Sequence, residues 1–294
     1  MPLAVLDGAI LRCDKGTTDS RLSATHDTNL QGFGKRAASV LDHRAGENIQ
    51  FFGTCRLSGK PCDRVTPRQW FPGARAVSTS GARPLSSDSF LLCVAHGPAA
   101  IQIEDPGQLM LFVEAEPFPA APLGPYYYIY RHYDFLRRHP GETPPDYYLG
   151  YGNKFLGLFS ELDLSNRGED WITAVARDLQ EAIESLRRSD PGAFDRMERD
   201  GKALRHYAFA SHPEIYRRNG FLELSTFDKA KIMALVSGNT AFDEIPEFLE
   251  QALGLAGQAV KHPVATALDI LDSNLIETPK HIVEELPRPW EWDW

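Results

Sequence analysis

The chain has 294 residues, of which 43% are hydrophobic and 24% are charged, and its formal net charge is −9. This composition is typical of a folded protein and argues against global disorder, and the length is sufficient for two domains. The negative charge opposes attraction to nucleic-acid phosphates, so we do not expect a nucleic-acid partner.

Two kinds of targeting segment are not found in the sequence. No stretch approaches the ~18 consecutive apolar residues of a membrane span, so we expect none. The N-terminus lacks the basic segment and apolar core that mark a secretory signal peptide. We therefore expect a protein that is made and kept in the cytoplasm unless a dedicated machine exports it.

The distribution of cysteines divides the chain. All four, Cys13, Cys55, Cys62 and Cys93, lie in the first hundred residues, and the chain beyond about residue 120 is richer in charge and has a helical period. This change predicts an α+β multidomain protein: a small β-rich domain over residues 1–115, a proline-rich linker over 116–125 and a mainly α-helical domain over 126–294.

Four short apolar runs bounded by turn residues predict strands in the first domain, at residues 3–12, 49–52, 89–94 and 100–103. A module of such short strands buries little surface, so it needs a further cross-link such as a metal site. The cytosol keeps thiols reduced, which argues against disulfides. Because the cysteines lack close C-x-x-C pairs, the residues alone leave two interpretations open: a metal site, or buried free thiols.

Four motifs surround these cysteines. They are Gly8-Ala9-x-Leu11-x-Cys13, Asn48-Ile49-x-x-Phe52-Gly53-x-Cys55, Ser89-x-Leu91-x-Cys93, and Ile101-x-Ile103 with Gly107-Gln108. In order and content, over residues 3–110, they resemble the cysteine-containing PAAR-like family. Members of that family form the tip on the spike of type VI secretion systems and related contractile injection machines.

The resemblance implies a small β-rich cone whose base caps a trimeric spike protein and whose apex is held by a structural metal, usually zinc. By position, the metal ligands would be Cys13, Cys55, Cys62 and Cys93. Four thiolates suit zinc in a closed tetrahedral site, which is structural rather than catalytic. Ala95-His96-Gly97-Pro98 departs from the glycine pair that members often carry, so His96 is an alternative ligand.

The same resemblance predicts a role and a location. The chain would cap the spike and carry its C-terminal part as fused cargo, with an adaptor or chaperone and an immunity protein as further partners. It would be cytoplasmic before firing and then be secreted into a target cell. The alternative is that the C-terminal part is itself an antibacterial toxin enzyme, a hydrolase that acts on cell wall, nucleic acid or nucleotide.

The second part of the chain opens with aromatic residues and continues with helical patterns. Residues 126–136 are dense in tyrosine, and the acidic balance favours a packed core over a nucleic-acid platform. Ser165, followed by Glu169 and Asp170, predicts the start of a helix over 168–186 with Trp171 in its apolar stripe. Further helices are expected at 192–200, 213–219, 226–236, 245–261 and 264–271. The tail at 287–294, with three tryptophans, is either packed on this part or a docking peptide.

The second part contains no recognisable catalytic motif. Its candidate polar groups are Tyr151 and Lys154 with Glu161, and His206, His212 and Glu214 with Asp228. The spacing of the two histidines does not fit the i, i+4 pattern of a metalloprotease helix, and no nucleophile elbow or P-loop occurs. A carboxylate pair for sugar hydrolysis stays open among Glu142, Glu161, Glu169 and Glu214.

Overall fold

The structure, a computed structural model, describes residues 1–26, 30–75 and 82–239. The chain forms two compact units: Met1–Pro119 with Arg137–Pro140, and Ala120–Leu136 with the chain from Gly141 onward. The helices predicted at 245–261 and 264–271 and the tail at 287–294 lie outside the described residues. The predicted fold class, a β-rich part followed by a mainly helical part, is confirmed.

The first unit is built on an antiparallel sheet of five strands in the order β2-β1-β7-β6-β5, and β3 and β4 form a separate hairpin. The strands are β1 (Ile10–Cys13), β2 (Ser20–Arg21), β3 (Gln31–Gly32), β4 (Lys35–Arg36), β5 (Phe71–Gly73), β6 (Leu85–Cys93) and β7 (Ala99–Asp105). The two longest strands, β6 and β7, are adjacent and joined by a short connection that contains His96. The strands predicted at 89–94 and 100–103 are therefore confirmed.

Two predicted strands are shorter or missing. The run at 3–12 is regular only from Ile10, because Gly8 adopts a left-handed conformation with φ of 84° and turns the chain before β1. The run at 49–52 forms no strand, and Ile49 makes only single bridges, to Leu22 and Ala45. Both runs are nevertheless buried in part, since apolar character favours burial whether or not a ladder forms.

A large core cluster of the first unit lies on the face of the sheet that carries Leu91 and Ile101. Leu11, Leu91 and Ile101 are fully or almost fully buried. The strand register pairs Leu91 with Ile101, and it pairs Leu11 with Ile103, two residues further along β7. Phe52 and Trp70 cover this face from outside the five strands. Burial of one large apolar side chain stabilises a fold by about 1.5–3 kcal/mol, so this small cluster supplies much of the unit's stability.

The second unit is helical in the part that the structure describes. Its helices are α1 (Tyr127–Arg138), α2 (Lys154–Ser160), α3 (Asn166–Ser189), α4 (Pro191–Arg199), α5 (Gly201–Arg218) and α6 (Thr226–Asn239). A π-helical segment, Tyr147–Asn153, leads directly into α2, and a 3-10 turn, Phe221–Glu223, precedes α6. No helix within residues 1–26, 30–75 and 82–239 is long and apolar enough to cross a membrane.

The helices predicted at 168–186, 192–200 and 226–236 are confirmed, and the one predicted at 213–219 is part of a longer helix. Ser165 caps α3 by accepting a hydrogen bond from the Gly168 amide at 3.3 Å, as predicted from the sequence. By contrast, α5 begins at Gly201 rather than near Pro213, which lies inside the helix. Asp200 provides the cap that starts α5 by accepting from the Lys202 and Ala203 amides. Pro213 was expected to mark a helix start, but α5 continues through it and has buried residues on both sides, at Leu204 and Ala208 and at Ile215 and Tyr216.

Candidate metal centre

Two of the four cysteines stand at the ends of neighbouring strands. Cys13 ends β1 and Cys93 ends β6, and β7 lies between them. Cys13 is paired with Ile101 and Cys93 with Ala99, positions that are two residues apart in β7. Because side chains of a strand alternate between faces, the two cysteines lie on the same face of the sheet.

The other two cysteines are brought close by a short hairpin-like loop. The Cys55 amide donates to the Lys60 carbonyl at 2.9 Å, and the Cys62 amide donates to the Gly53 carbonyl at 2.8 Å. The Arg56 amide donates to the carbonyl of Lys15 at 2.8 Å, which ties this loop to the turn that follows Cys13. The loop thus carries both cysteines to the end of the sheet where β1 and β6 terminate.

The four cysteines line one small cavity. Its volume is about 20 Å³, and it is lined by Cys13, Cys55, Cys62 and Cys93 together with Lys15, Leu57, Asp63 and His96, among others. All four thiols are free, so no disulfide links them. No group of three or more His, Cys, Asp or Glu side chains in the described part of the chain is already arranged to hold a metal ion. The structure therefore gathers the predicted ligands around one space, and His96 borders the same space.

Backbone amides are directed at two of the sulfur atoms. Burial raises the pKa of Cys13 to about 11, while hydrogen bonds from the backbone N–H groups of Lys15 and Gly16 act in the opposite direction. Burial also raises the pKa of Cys93, opposed by hydrogen bonds from the backbone of Ala95 and Val65. Such N–H groups stabilise a thiolate, which is the form that binds metal.

Two glycines allow the cysteine loops to approach each other. A Cβ on Gly16 would lie 2.7 Å from Cβ of Phe52, and a Cβ on Gly53 would lie 2.4 Å from Oγ1 of Thr17. Gly53 also has a φ of 72°, in the left-handed region that favours glycine. The Gly53 of the quoted motif is therefore explained by both backbone conformation and a close contact beside Cys55.

An exposed apolar turn lies at the other end of the same sheet. Leu109 and Met110 are 79% and 74% exposed, and Phe112 is 55% exposed. We call these three residues the apolar turn. They follow the end of β7, whereas the cysteine cavity adjoins the beginning of β7. The buried Gln108 fixes the turn, because its Oε1 accepts from the Met110 and Leu111 amides and its Nε2 donates to the Ala4 carbonyl.

The candidate catalytic residues of the helical unit have separate surroundings. Lys154 and Glu161 are exposed at opposite ends of α2, about 10 Å apart by the helix rise. His206 is exposed on α5, and Glu214 forms an ion pair with Arg217 at 2.7 Å.

Asp228 and His212 lie in two different environments, one made of hydrogen bonds and the other of aromatic rings. Asp228 is 1% exposed and accepts hydrogen bonds from Ser165 and Ser225, which join the starts of α3 and α6. Burial by itself raises the pKa of Asp228, but these hydrogen bonds outweigh it and the pKa lies below its ordinary value. His212 lies among aromatic rings, so the structure does not gather these residues with His206 and Glu214 into one polar site.

The carboxylates considered for sugar hydrolysis are all on the surface. Glu142, Glu161, Glu169 and Glu214 are exposed, and Glu142 lies 3.7 Å from Arg199. The structure therefore does not bring these four carboxylates together in a buried site that could enclose a sugar.

Comparison with known proteins gives one match. Residues 5–108 match a family described as a domain of unknown function, DUF4280. The match lies within the first unit and spans the motifs that surround all four cysteines. No curated protein and no solved structure matches the chain.

Proposed function

We propose that the first unit is the tip of a contractile injection spike, held by structural zinc, and that the helical part is its fused cargo. The observation that carries the proposal is the difference between the two ends of the sheet. Four cysteines from three separate segments line one cavity at one end, and an exposed apolar turn occupies the other. In the PAAR-like family that the motifs resemble, the metal holds the apex and the base caps a trimeric spike.

The residues present fit a zinc ion in their donor chemistry. Cys13, Cys55, Cys62 and Cys93 would hold it, with His96 as the alternative donor. Zinc, when bound, supplies a cross-link between β1, β6 and the loop of Cys55 and Cys62, and it has no open position for catalysis. The backbone N–H groups beside Cys13 and Cys93 support this assignment because they favour thiolates, in opposition to burial, which raises both pKa values.

The apolar turn is the proposed surface for the spike protein. Leu109, Met110 and Phe112 expose large apolar side chains within four consecutive residues, and exposed apolar patches mark interaction sites. Gln108 holds the turn in one conformation, which lowers the entropic cost of binding. The residues of the fourth motif, Gly107 and Gln108, thus have a structural task at the proposed interface.

The proposal is tested with the full chain and a trimeric spike protein in a pull-down. We expect Met110→Asp combined with Leu109→Asp to abolish binding, because two charges would be buried in an apolar contact. Phe51→Asp is the matched control, since Phe51 is 61% exposed but adjoins the cysteine end. Retained binding by the double variant, with unchanged metal content, would contradict the proposed interface.

The proposal includes the cellular setting. The chain would wait in the cytoplasm, with an adaptor or chaperone and an immunity protein as partners, and leave it with the spike. Whether the cargo is the toxin hydrolase of the alternative hypothesis is answered by growth. Expression of the full chain with and without an export signal would inhibit growth in one compartment if the cargo is a toxin.

A further inference from the structure

The loop that carries Cys55 and Cys62 exposes apolar side chains at the cysteine end of the first unit. Leu57 is 47% exposed and also borders the cysteine cavity. Val65 is 41% exposed, and its carbonyl accepts a hydrogen bond at 2.9 Å from the amide of Val94, the residue directly after β6. Both apolar side chains therefore belong to the end of the sheet where the cysteines gather.

The same loop is positively charged, although the whole chain is negative. Residues 50–68 contain four basic residues and one acidic residue, a net charge of +3, whereas the whole chain carries −9. Arg56 and Lys60 are exposed and form no ion pair with any residue that the structure describes. Even with zinc held by four thiolates in the cavity, the summed charge of this loop stays positive. Because salt screens distant charges, a partner here meets the charge of the loop rather than that of the chain.

A tight turn brings the two cations and Leu57 to the tip of the loop. Thr54 and Pro61 form an antiparallel bridge, and the Gly59 amide donates to the Cys55 carbonyl at 2.8 Å. Gly59 has a φ of 67°, and a Cβ on it would meet no atom of the described chain within 4 Å apart from its chain neighbours. The turn therefore faces open space. We call residues 56–60 the basic tip.

We propose that the basic tip binds the surface of a bilayer that contains anionic phospholipids. Arg56 and Lys60 would contact the lipid phosphates, and Leu57 between them would enter the apolar layer that lies directly behind the headgroups. A lipid surface offers both kinds of contact, whereas a nucleic acid offers phosphates without an apolar layer that would cover Leu57. This inference does not depend on binding to a spike, because it concerns the end of the sheet opposite the apolar turn.

The test is sedimentation of the purified full chain with two kinds of vesicle. One kind contains phosphatidylglycerol and phosphatidylcholine in equal amounts, and the other contains phosphatidylcholine alone. We expect binding to the anionic vesicles at about 0.1 M salt and no measurable binding to the neutral ones. At about 1 M salt, where the Debye length is about 3 Å, binding to the anionic vesicles should be at least about tenfold weaker. Absence of binding to the anionic vesicles, or equal binding to both kinds, would overturn the proposal.

Three substitutions examine the parts of the basic tip. Arg56→Gln and Lys60→Gln should each weaken binding to the anionic vesicles about fivefold, because each removes one cation from the lipid surface. Leu57→Ser should weaken binding about three- to tenfold, because it removes the apolar contact and leaves the charge unchanged. Metal content and thermal unfolding of each variant show whether the loop still folds.

Lys35→Gln is the matched control for Lys60→Gln, since it removes the same charge at the other end of the first unit. Lys35 is exposed and pairs with Gly32 in the hairpin of β3 and β4. A Cβ on Gly32 would lie 3.3 Å from Cδ2 of Leu111, which places this hairpin beside the apolar turn. We therefore expect Lys35→Gln to bind the anionic vesicles within about twofold of the wild type.

Two further results would contradict the proposal. Equal losses in Lys35→Gln and Lys60→Gln would mean that total charge, and not the basic tip, governs binding. If Leu57→Ser kept its full affinity and a double-stranded DNA fragment bound as tightly as the anionic vesicles, the tip would be a surface for any polyanion rather than for lipid. The wild-type comparison of the two kinds of vesicle holds even if a variant does not fold.

Discussion

Asp42 is fully buried in the first unit, and its carboxylate orders backbone that has no regular secondary structure. It accepts hydrogen bonds from the amides of Ser39 at 2.8 Å, Thr25 at 2.9 Å and His26 at 3.0 Å. The His26 ring also lies against it, with Nδ1 at 2.8 Å. Burial by itself raises the pKa of Asp42, but the hydrogen bonds together outweigh it and hold the pKa below its ordinary value.

We expect Asp42→Asn to destabilise the loops of the first unit by about 1–3 kcal/mol at pH 7, since one oxygen acceptor becomes a donor. Because the folded-state pKa is depressed, the stabilisation by the carboxylate is fully present above the unfolded value near pH 4. It is lost as pH falls through the folded pKa. The difference in stability between Asp42→Asn and the wild type should therefore be smaller at about pH 3 than at pH 7.

Amide hydrogen exchange at Thr25, His26 and Ser39 measures this difference, as the ratio of variant to wild-type rates at each pH. The ratio cancels the intrinsic pH dependence of exchange and any contribution common to both proteins. Glu47→Gln is the control, because Glu47 is an exposed neighbour whose change should be within about 0.5 kcal/mol. A ratio that is the same at pH 7 and pH 3 would show that the charge of Asp42 is unimportant.

Between elements of the helical unit, a buried group of ionisable side chains joins α1 to α3 and α4. It consists of Arg131 and Asp134 on α1, Glu184 and Arg187 on α3, and Glu198 on α4. Glu184 is central, at 3.1 Å from Arg131 and 2.5 Å from Arg187, and it accepts from the Tyr127 hydroxyl. Burial lowers the pKa of Arg131, but the carboxylates, chiefly Glu184, outweigh this and raise it, so the guanidinium stays charged.

Glu184→Gln should destabilise the helical unit by about 3–5 kcal/mol, because it leaves buried arginine charge without its carboxylate. Glu181→Gln is the matched control on the same helix, since Glu181 is half exposed and its pair with Arg188 is worth at most about 1 kcal/mol. Urea unfolding followed by circular dichroism measures both. Equal effects of the two substitutions would mean that the buried group is not specifically stabilising.

At the scale of the whole molecule, the two units should depend differently on the cysteine site. We expect Cys13→Ser with Cys55→Ser to lose about one metal ion per chain and to unfold the first unit, because a small sheet with short strands relies on its cross-link. The helical circular dichroism signal should be largely retained. Metal analysis of the purified full chain and thermal unfolding provide the measurements.

His96→Ala distinguishes the two ligand sets of the same site. If the four cysteines hold the metal, this variant keeps both its metal and its melting temperature. Loss of metal in His96→Ala would identify the histidine as the donor instead of a cysteine. Unchanged metal content in the double cysteine variant would disprove the proposed zinc site.

Local patterns in the sequence were sufficient for several features. Ser165 and the apolar stripe of α3 predicted a capped helix, because capping and helical periodicity depend on residues within a few positions of each other. The apolar runs at 89–94 and 100–103, bounded by turn residues, predicted the strands β6 and β7 for the same reason. The cysteine positions predicted a set of residues that the structure places around one cavity of the first unit, and metal binding there stays a prediction.

Other features depend on residues that are distant in the chain and adjacent only after folding. The sequence gives no sign that Glu184 is buried with Arg131 while Glu181 is exposed, since one turn of the same helix separates them. Nor does it indicate that the indole N–H of Trp171 has no partner among the described residues, since its position in the apolar stripe predicted only a core residue. The sequence by itself determined the two kinds of unit and their local elements. The tertiary structure decided which polar groups lie in the interior, because burial is set by packing between elements rather than within them.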